Sequence, residues 1–233
     1  MGKKGKQGVE APEAGNRGFP IERVLRAVER EAGRWKAPIV TRLAEAKRSP
    51  FEILVSTVLS LRTQDGTTAE ASDRLFQRAH TPEAMVRLGA EQIARLIYPV
   101  GFYNVKARQL IDICATLIER YAGQTPEDLD KLLALPGVGR KTANLVVTLG
   151  YGLPGICVDT HVHRITNRWG YVQTKTPEQT EFALRAALPN RYWIPINDWL
   201  VTFGQNVCRP TSPKCSQCVV EKDCPKIGVT RSR

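Results

Sequence analysis

A chain of 233 residues with 42% apolar side chains is long enough for a sizeable core. No stretch approaches the roughly 20 apolar residues that span a bilayer as a helix, so no transmembrane helix is expected. Lysine and arginine outnumber the acids 34 to 23, a formal charge of +11, which points to a polyanionic partner: nucleic acid first, an anionic membrane surface second.

Residues 1–18, "MGKKGKQGVEAPEAGNRG", read as a solvated, disordered basic tail. It has no apolar h-region, so no secretory signal is seen, and Glu10 and Glu13 argue against a transit peptide. Its basic residues are Lys3, Lys4, Lys6 and Arg17, so most of the excess charge lies in the body. "FEILVSTVLSL" (51–61) is apolar nearly all round and predicts a buried helix. Asp65-Gly66 lacks the alternating flanks of a β-hairpin turn. Thr-Pro-Glu occurs at Thr81, Thr125 and Thr176, each a hydroxyl N-cap with proline at the first helical position. At Thr125 the acid Asp128 follows three residues on, as in a capping box. "LIYPVGFYNVKARQL" (96–110) has the form of a turn followed by a helix. From Ala107, apolar residues at 107, 110, 111, 114, 117, 118 and 121 keep helical spacing, with Cys114 on the apolar face as a small core residue. No sustained period-two alternation occurs, so the class is all-α.

"PEDLDKLLALPGVGRKTANLVVTLGYG" predicts helix, tight turn, helix. Gly137 and Gly139 permit backbone conformations that a β-carbon obstructs. The amides around Val138 and Gly139, with the following helix N-terminus, are expected to face outward and to bind phosphate without reading sequence. Arg140 adds charge beside them. Lys141, in the first helical turn, opposes the helix dipole; the positive field favours its neutral, nucleophilic amine. The plainer reading is a solvated lysine on a DNA-facing turn. "VDTHVHRITNR" then supplies Asp159, either a simple N-cap or a carboxylate for a developing positive charge. Cys157 reads as core, and His161 and His163 face different sides of a helix.

Cys208, Cys215, Cys218 and Cys224 follow the pattern C-x6-C-x2-C-x5-C. With no secretory signal, so dense a group points to a metal centre rather than disulfides. One tight pair with uneven arms suits a [4Fe–4S] cluster, although four cysteines also make a zinc site. Arg209 and Lys214, at the ends of the loop between the first two cysteines, form a basic finger suited to a phosphate.

"LPGVGRKTAN" (135–144), "VDTHVHR" (158–164) and the cysteine pattern, in that order, resemble the endonuclease III family of helix–hairpin–helix glycosylases; the resemblance covers roughly Pro20 to Ile227. It implies an all-α, two-domain fold: a six-helix barrel over 45–152 containing the hairpin, and a cluster domain from 19–44 plus 153–233. It implies a [4Fe–4S] cluster on the four cysteines. The implied partner is double-stranded DNA with a damaged base or abasic site. No membrane is involved, and a monomer in the cytoplasm at the nucleoid is expected. By this similarity Lys141 attacks C1′ of an extruded nucleotide, displacing an oxidised pyrimidine of thymine-glycol type, and the Schiff base then allows β-elimination. Asp159 assists the lysine and the cationic sugar. Related adenine glycosylases lack the lysine at this position.

Two positions depart from the family. Where its members carry a glutamine that fills the gap left by the extruded nucleotide, this chain has Arg62, with Gln64 two residues away; the family's wedge leucine is Phe102, in "GFYN". Arginine hydrogen-bonds an orphaned guanine readily, and phenylalanine stacks on bases. Two further readings therefore stand beside the first: a lyase-competent glycosylase for thymine or uracil opposite guanine, and a non-catalytic DNA-binding iron–sulfur protein.

Overall fold

The structure, a computed structural model, describes residue 16, residues 18–35, residues 38 and 41, and residues 47–233. The expected tail and the boundary near residue 44 lie outside them. Ten α-helices run through the described residues, which contain no strand: α1 (Ile21–Ala32), α2 (Pro50–Ser60), α3 (Asp65–Phe76), α4 (Pro82–Ile97), α5 (Tyr103–Tyr121), α6 (Leu129–Leu133), α7 (Arg140–Leu145), α8 (Thr160–Arg168), α9 (Pro177–Ala187) and α10 (Ile196–Asn206). A π-helical turn, Val146–Gly150, continues α7.

Local chemistry accounts for most starts. Ser49 and Glu52 form a capping box at α2, and Phe51 and every residue from Ile53 to Leu59 are buried, as the apolar run requires. Thr81 and Thr176 cap α4 and α9 through the amides of Ala84 and Gln179, each with proline at the first turn. Thr125 does not cap a helix. It is buried upstream, and Asp128 is the N-cap of α6, accepting the Lys131 amide at 2.9 Å. The carboxylate expected in the third position does the capping itself, so α6 is only five residues long. Asp65-Gly66 opens α3. Gly89, at φ 74°, interrupts α4.

Two apolar cores form. One gathers α2 to α7, from Phe51 to Val147, around Leu54, Val58, Ile93, Leu110 and Ile113, with Cys114 buried as expected. The other joins α1 to the C-terminal part, Ile156 to Val220, around Val24, Leu25, Trp169, Leu200 and Phe203. Phe19 stacks on Trp169 with centroids 6.0 Å apart, which pins the entry of α1 to the end of α8. The chain thus leaves the second core after α1, builds the first, and returns. Ser60–Arg62, Arg140 and Lys141 from the first part face Val158–Thr160, Thr176–Glu178 and Glu181 from the second across a cleft of about 660 Å³.

Candidate active site and metal centre

The hairpin between α6 and α7 sets one wall of the cleft. Gly137 has φ 68°, and a β-carbon there would lie 2.5 Å from Gln109 Nε2. That amide reaches from α5 and donates to the carbonyls of Pro136 (3.3 Å) and Gly137 (3.0 Å), bracing the turn from behind. Two expectations need correction. The Val138 amide does not face outward; it donates to Leu135 O at 3.1 Å, and the Val138 side chain is buried in the first core. Gly139 is extended (φ −93°), and an added β-carbon would meet nothing within 4 Å. Nothing in the chain itself demands glycine there; what its absent side chain leaves is open space on the outer face.

Lys141 stands in the first turn of α7, a little over a third exposed. Its Nζ lies 3.8 Å from Oδ2 of Asp159, which is buried. Asp159 caps α8: Oδ1 accepts the amides of His161 at 2.8 Å and Val162 at 3.0 Å. The two oxygens of Asp159 thus have different neighbours, the α8 amides on Oδ1 and the lysine amine on Oδ2. Cys157 is buried beside the site with its Sγ 3.7 Å from Lys141 O, and burial raises its pKa strongly. His163 Nδ1 lies 2.7 Å from the Thr180 hydroxyl, while His161 Nδ1 faces Arg164. Burial lowers the pKa of both rings.

The Arg140 guanidinium is bound by the protein's own groups. It donates to both oxygens of Glu181 on α9, at 2.7 and 2.8 Å, and lies 4.8 Å from the Phe182 ring centroid. Glu181, 2% exposed, also takes Arg185 at 2.9 Å, and Arg185 reaches Asn144 Oδ1 at 3.0 Å. Burial pushes the Glu181 carboxyl up, but the two guanidinium groups outweigh it and its pKa is lowered. This network ties the hairpin to α9 and the second core. Sequence reasoning missed Glu181: an acid in the middle of an ordinary amphipathic helix carries no local signal.

The two departures come from the same part of the chain as the hairpin. Arg62 (φ 53°) and Phe102 (φ 59°) are both left-handed and non-glycine, a conformation costing about 1–3 kcal/mol at each. They come from different loops, and the Arg62 guanidinium lies 5.7 Å from the Phe102 ring centroid. Phe102 is exposed, and Arg62 lines the cleft. Gln64 does not; it occupies the N-cap position of α3, where its carbonyl accepts the Thr68 amide.

At the far end of α8 the four cysteines line one cavity with Trp169, Phe203 and Val207. Among the described residues no three His, Cys, Asp or Glu side chains are grouped to hold a single metal ion. Four thiols around one cavity are the donor set of a thiolate-held metal centre, and the residues fit such a group. Burial pushes Cys218 up to about 12 and raises Cys224, so these thiols need a metal to ionise. Arg168, a buried residue without a sequence signal, donates to Cys208 Sγ (3.3 Å) and to the carbonyls of Arg209 and Pro210 (both 2.7 Å), setting the finger's backbone. Arg209 is exposed, and Lys214 borders the cysteine cavity. No described helix is long and apolar enough to cross a membrane.

A family model for the HhH-GPD superfamily of base excision DNA repair proteins matches residues 55–190. Endonuclease III of Thermotoga maritima is 47% identical over 175 residues, covering 75% of this chain and 82% of that protein. Endonuclease III of Escherichia coli strain K12 is 40% identical over 176 residues, 76% and 83% of the two chains. Among solved structures, a trapped endonuclease III–DNA covalent intermediate superposes with a TM-score of 0.73 at 37% identity, over 77% of this chain and 84% of that one. A thermostable thymine-DNA glycosylase gives 0.70 at 25% identity, over 87% and 97%.

Proposed function

The chain belongs to the HhH-GPD superfamily of base excision DNA repair proteins, on its endonuclease III branch, and we propose that Lys141 and Asp159 perform its glycosylase and lyase chemistry on oxidised pyrimidines. It is a base-excision-repair DNA glycosylase with lyase activity, and endonuclease III–DNA complexes share its fold. The observation that carries the residue assignment is the cleft itself: an accessible amine beside a buried carboxylate, at the junction of the two cores.

The chemistry follows from that pair. A target base cannot be reached inside a duplex, so its nucleotide is turned into the cleft. The neutral Lys141 Nζ attacks C1′; the C1′–N bond breaks, and the base leaves with the electron pair and takes a proton. The carboxylate of Asp159, 3.8 Å away, stabilises the positive charge that develops at the sugar and then on the lysine nitrogen. Ring opening gives a protonated Schiff base. Loss of a C2′ proton then expels the 3′ phosphate by β-elimination. The open face at Gly139 and the N-terminus of α7 admit a phosphate of the bound strand. Arg140 serves this indirectly: its side chain is bound to Glu181 and holds the hairpin in place.

Cys208, Cys215, Cys218 and Cys224 would hold a [4Fe–4S] cluster. When bound, the cluster supplies a cross-link rather than hydrolytic chemistry: it fixes the loop that presents Arg209 and Lys214 to DNA. The two cores correspond to a barrel domain and a cluster domain. A monomer acting at the nucleoid belongs to the same reading. Arg62 on the rim favours one second reading, excision of thymine or uracil opposite guanine, since arginine pairs well with an orphaned guanine.

Borohydride trapping tests these readings. A cross-link to thymine-glycol and abasic duplexes, lost in Lys141→Ala, is expected. A cross-link to abasic DNA and a G·T mismatch, without thymine glycol, would replace the lesion assignment. No cross-link with DNA binding intact would overturn the nucleophile.

A further inference from the structure

Lys106 is a lysine that the chemistry above does not use. It lies in the first turn of α5, is 5% exposed, and points away from solvent towards the end of α2. Its Nζ donates to Leu59 O at 2.8 Å, Leu61 O at 2.5 Å and Thr63 Oγ1 at 3.2 Å. Burial alone draws its pKa down to about 8, with no carboxylate contributing. An ammonium buried without a counter-ion is costly to keep, and here its three donors are matched to three oxygens.

The three oxygens belong to one strategic turn. The last carbonyls of a helix have no partner within it, and the negative end of the dipole favours a cation there. After Leu61 the chain turns through Arg62 in the left-handed region. Thr63 Oγ1 also accepts the Gly101 amide at 3.2 Å, from the loop that precedes α5. That loop passes so near that a β-carbon on Gly101 would lie 2.7 Å from Arg62 O. Phe102, left-handed as well, comes next, with its ring beneath the Arg62 guanidinium. Lys106, Thr63 and Gly101 thus join two loops, and each loop carries a strained residue whose side chain faces outward. Glycine would relieve the strain at both positions. The presence of arginine and phenylalanine there places the need in their side chains, and the clamp beneath holds them.

We propose that Lys106 is a positioning residue for nucleotide extrusion: it clamps the turn after α2 so that Arg62 and Phe102 stand together at the cleft rim and occupy the duplex where a nucleotide leaves. This rests on the glycosylase reading above. It predicts that removing the clamp impairs reactions that need a nucleotide drawn out of a duplex, and spares chemistry on a sugar that is already free.

The test compares borohydride trapping rates on an abasic site in a duplex and in the matching single strand. For Lys106→Met the duplex rate relative to the single-strand rate should fall roughly tenfold, the scale expected for losing a charge-assisted hydrogen-bond clamp. Thr63→Val should lower the same ratio, and Thr63→Ser should restore it. Extrusion itself is read by 2-aminopurine fluorescence opposite the lesion, which should rise more slowly in the two defective variants. An unchanged ratio in Lys106→Met and Thr63→Val would overturn the proposal, as would equal losses on both substrates. If Lys106→Met does not fold, Thr63→Val and its serine partner decide alone. Absence of trapping by the unaltered protein would instead overturn the catalytic reading, so the two failures are distinct.

Discussion

Asp159 uses its two oxygens for two purposes, and substitutions separate them. Oδ1 caps α8 through the amides of His161 and Val162; Oδ2 faces Lys141 at 3.8 Å. Asparagine retains a carbonyl oxygen for the cap and places an amino group opposite the lysine; alanine removes both functions. Loss of an aspartate N-cap costs about 1–2 kcal/mol. At about 2–4 °C per kcal/mol for a chain of this size, Asp159→Ala should lower Tm by roughly 2–8 °C. Asp159→Asn keeps most of the cap, and its Tm should fall by about 2 °C or less, the share due to charge at the helix N-terminus. For catalysis, unit charges near 4 Å interact by about 4 kcal/mol in a partly polar surrounding. Solvent reaches Lys141, so about 2–3 kcal/mol is the proper expectation, a loss of roughly 30- to 150-fold. Both variants should show that loss in single-turnover trapping on an abasic duplex, measured beside thermal melts. A Tm for Asp159→Asn as low as that for Asp159→Ala, or a trapping rate for Asp159→Asn equal to that of the unaltered protein, would refute the division of labour.

The Glu181 network should matter to stability and to pH. Glu181→Gln leaves Arg140 and Arg185 without their carboxylate, and with both guanidinium groups about a quarter exposed the cost should be about 2–3 kcal/mol in chemical denaturation. Because the folded-state pKa of Glu181 is lowered, its contribution is complete above the usual value of 4.5 and is lost as pH falls through the depressed one. The stability gap between the unaltered protein and Glu181→Gln should therefore close in acid; a gap independent of pH would remove the carboxylate from the argument. Serine at Cys208, Cys215, Cys218 or Cys224 should abolish bound iron and acid-labile sulfide, and make the chain after α10 sensitive to protease. Zinc without sulfide in the unaltered protein would refute the cluster assignment. Alanine at Arg209 or Lys214 should each reduce the slope of log affinity against log salt by about one, with no change in the trapping rate at saturation. An unchanged slope would take that residue off the DNA.

The correct and incorrect sequence readings divide by distance along the chain. The all-α class, the buried α2, the caps at Thr81 and Thr176 and the turn at Gly137 each rest on residues within a few positions of one another. Thr125 shows the limit of that rule: two capping signals, its hydroxyl and the Asp128 carboxylate, stand three residues apart, and the one nearer the apolar helix face captured the amide. Local pattern also overstated the hairpin, where Val138 uses its amide internally and Gly139 is free of its own chain.

By itself, then, the sequence determined the helices, most of their starts, the place of Lys141 in a first turn and the grouping of four cysteines near the end of the chain. Those depend on backbone hydrogen bonds and periodicity, which span three or four residues. The resemblance already paired Lys141 with Asp159, and only the tertiary structure decided the other pairings: Arg140 with Glu181 at a separation of 41 residues, and Lys106 with the end of α2 at up to 47. Each of these joins a charge to a partner on another element. Which charge finds which partner depends on how the apolar faces pack, and packing brings distant residues together without leaving a local sign in either segment.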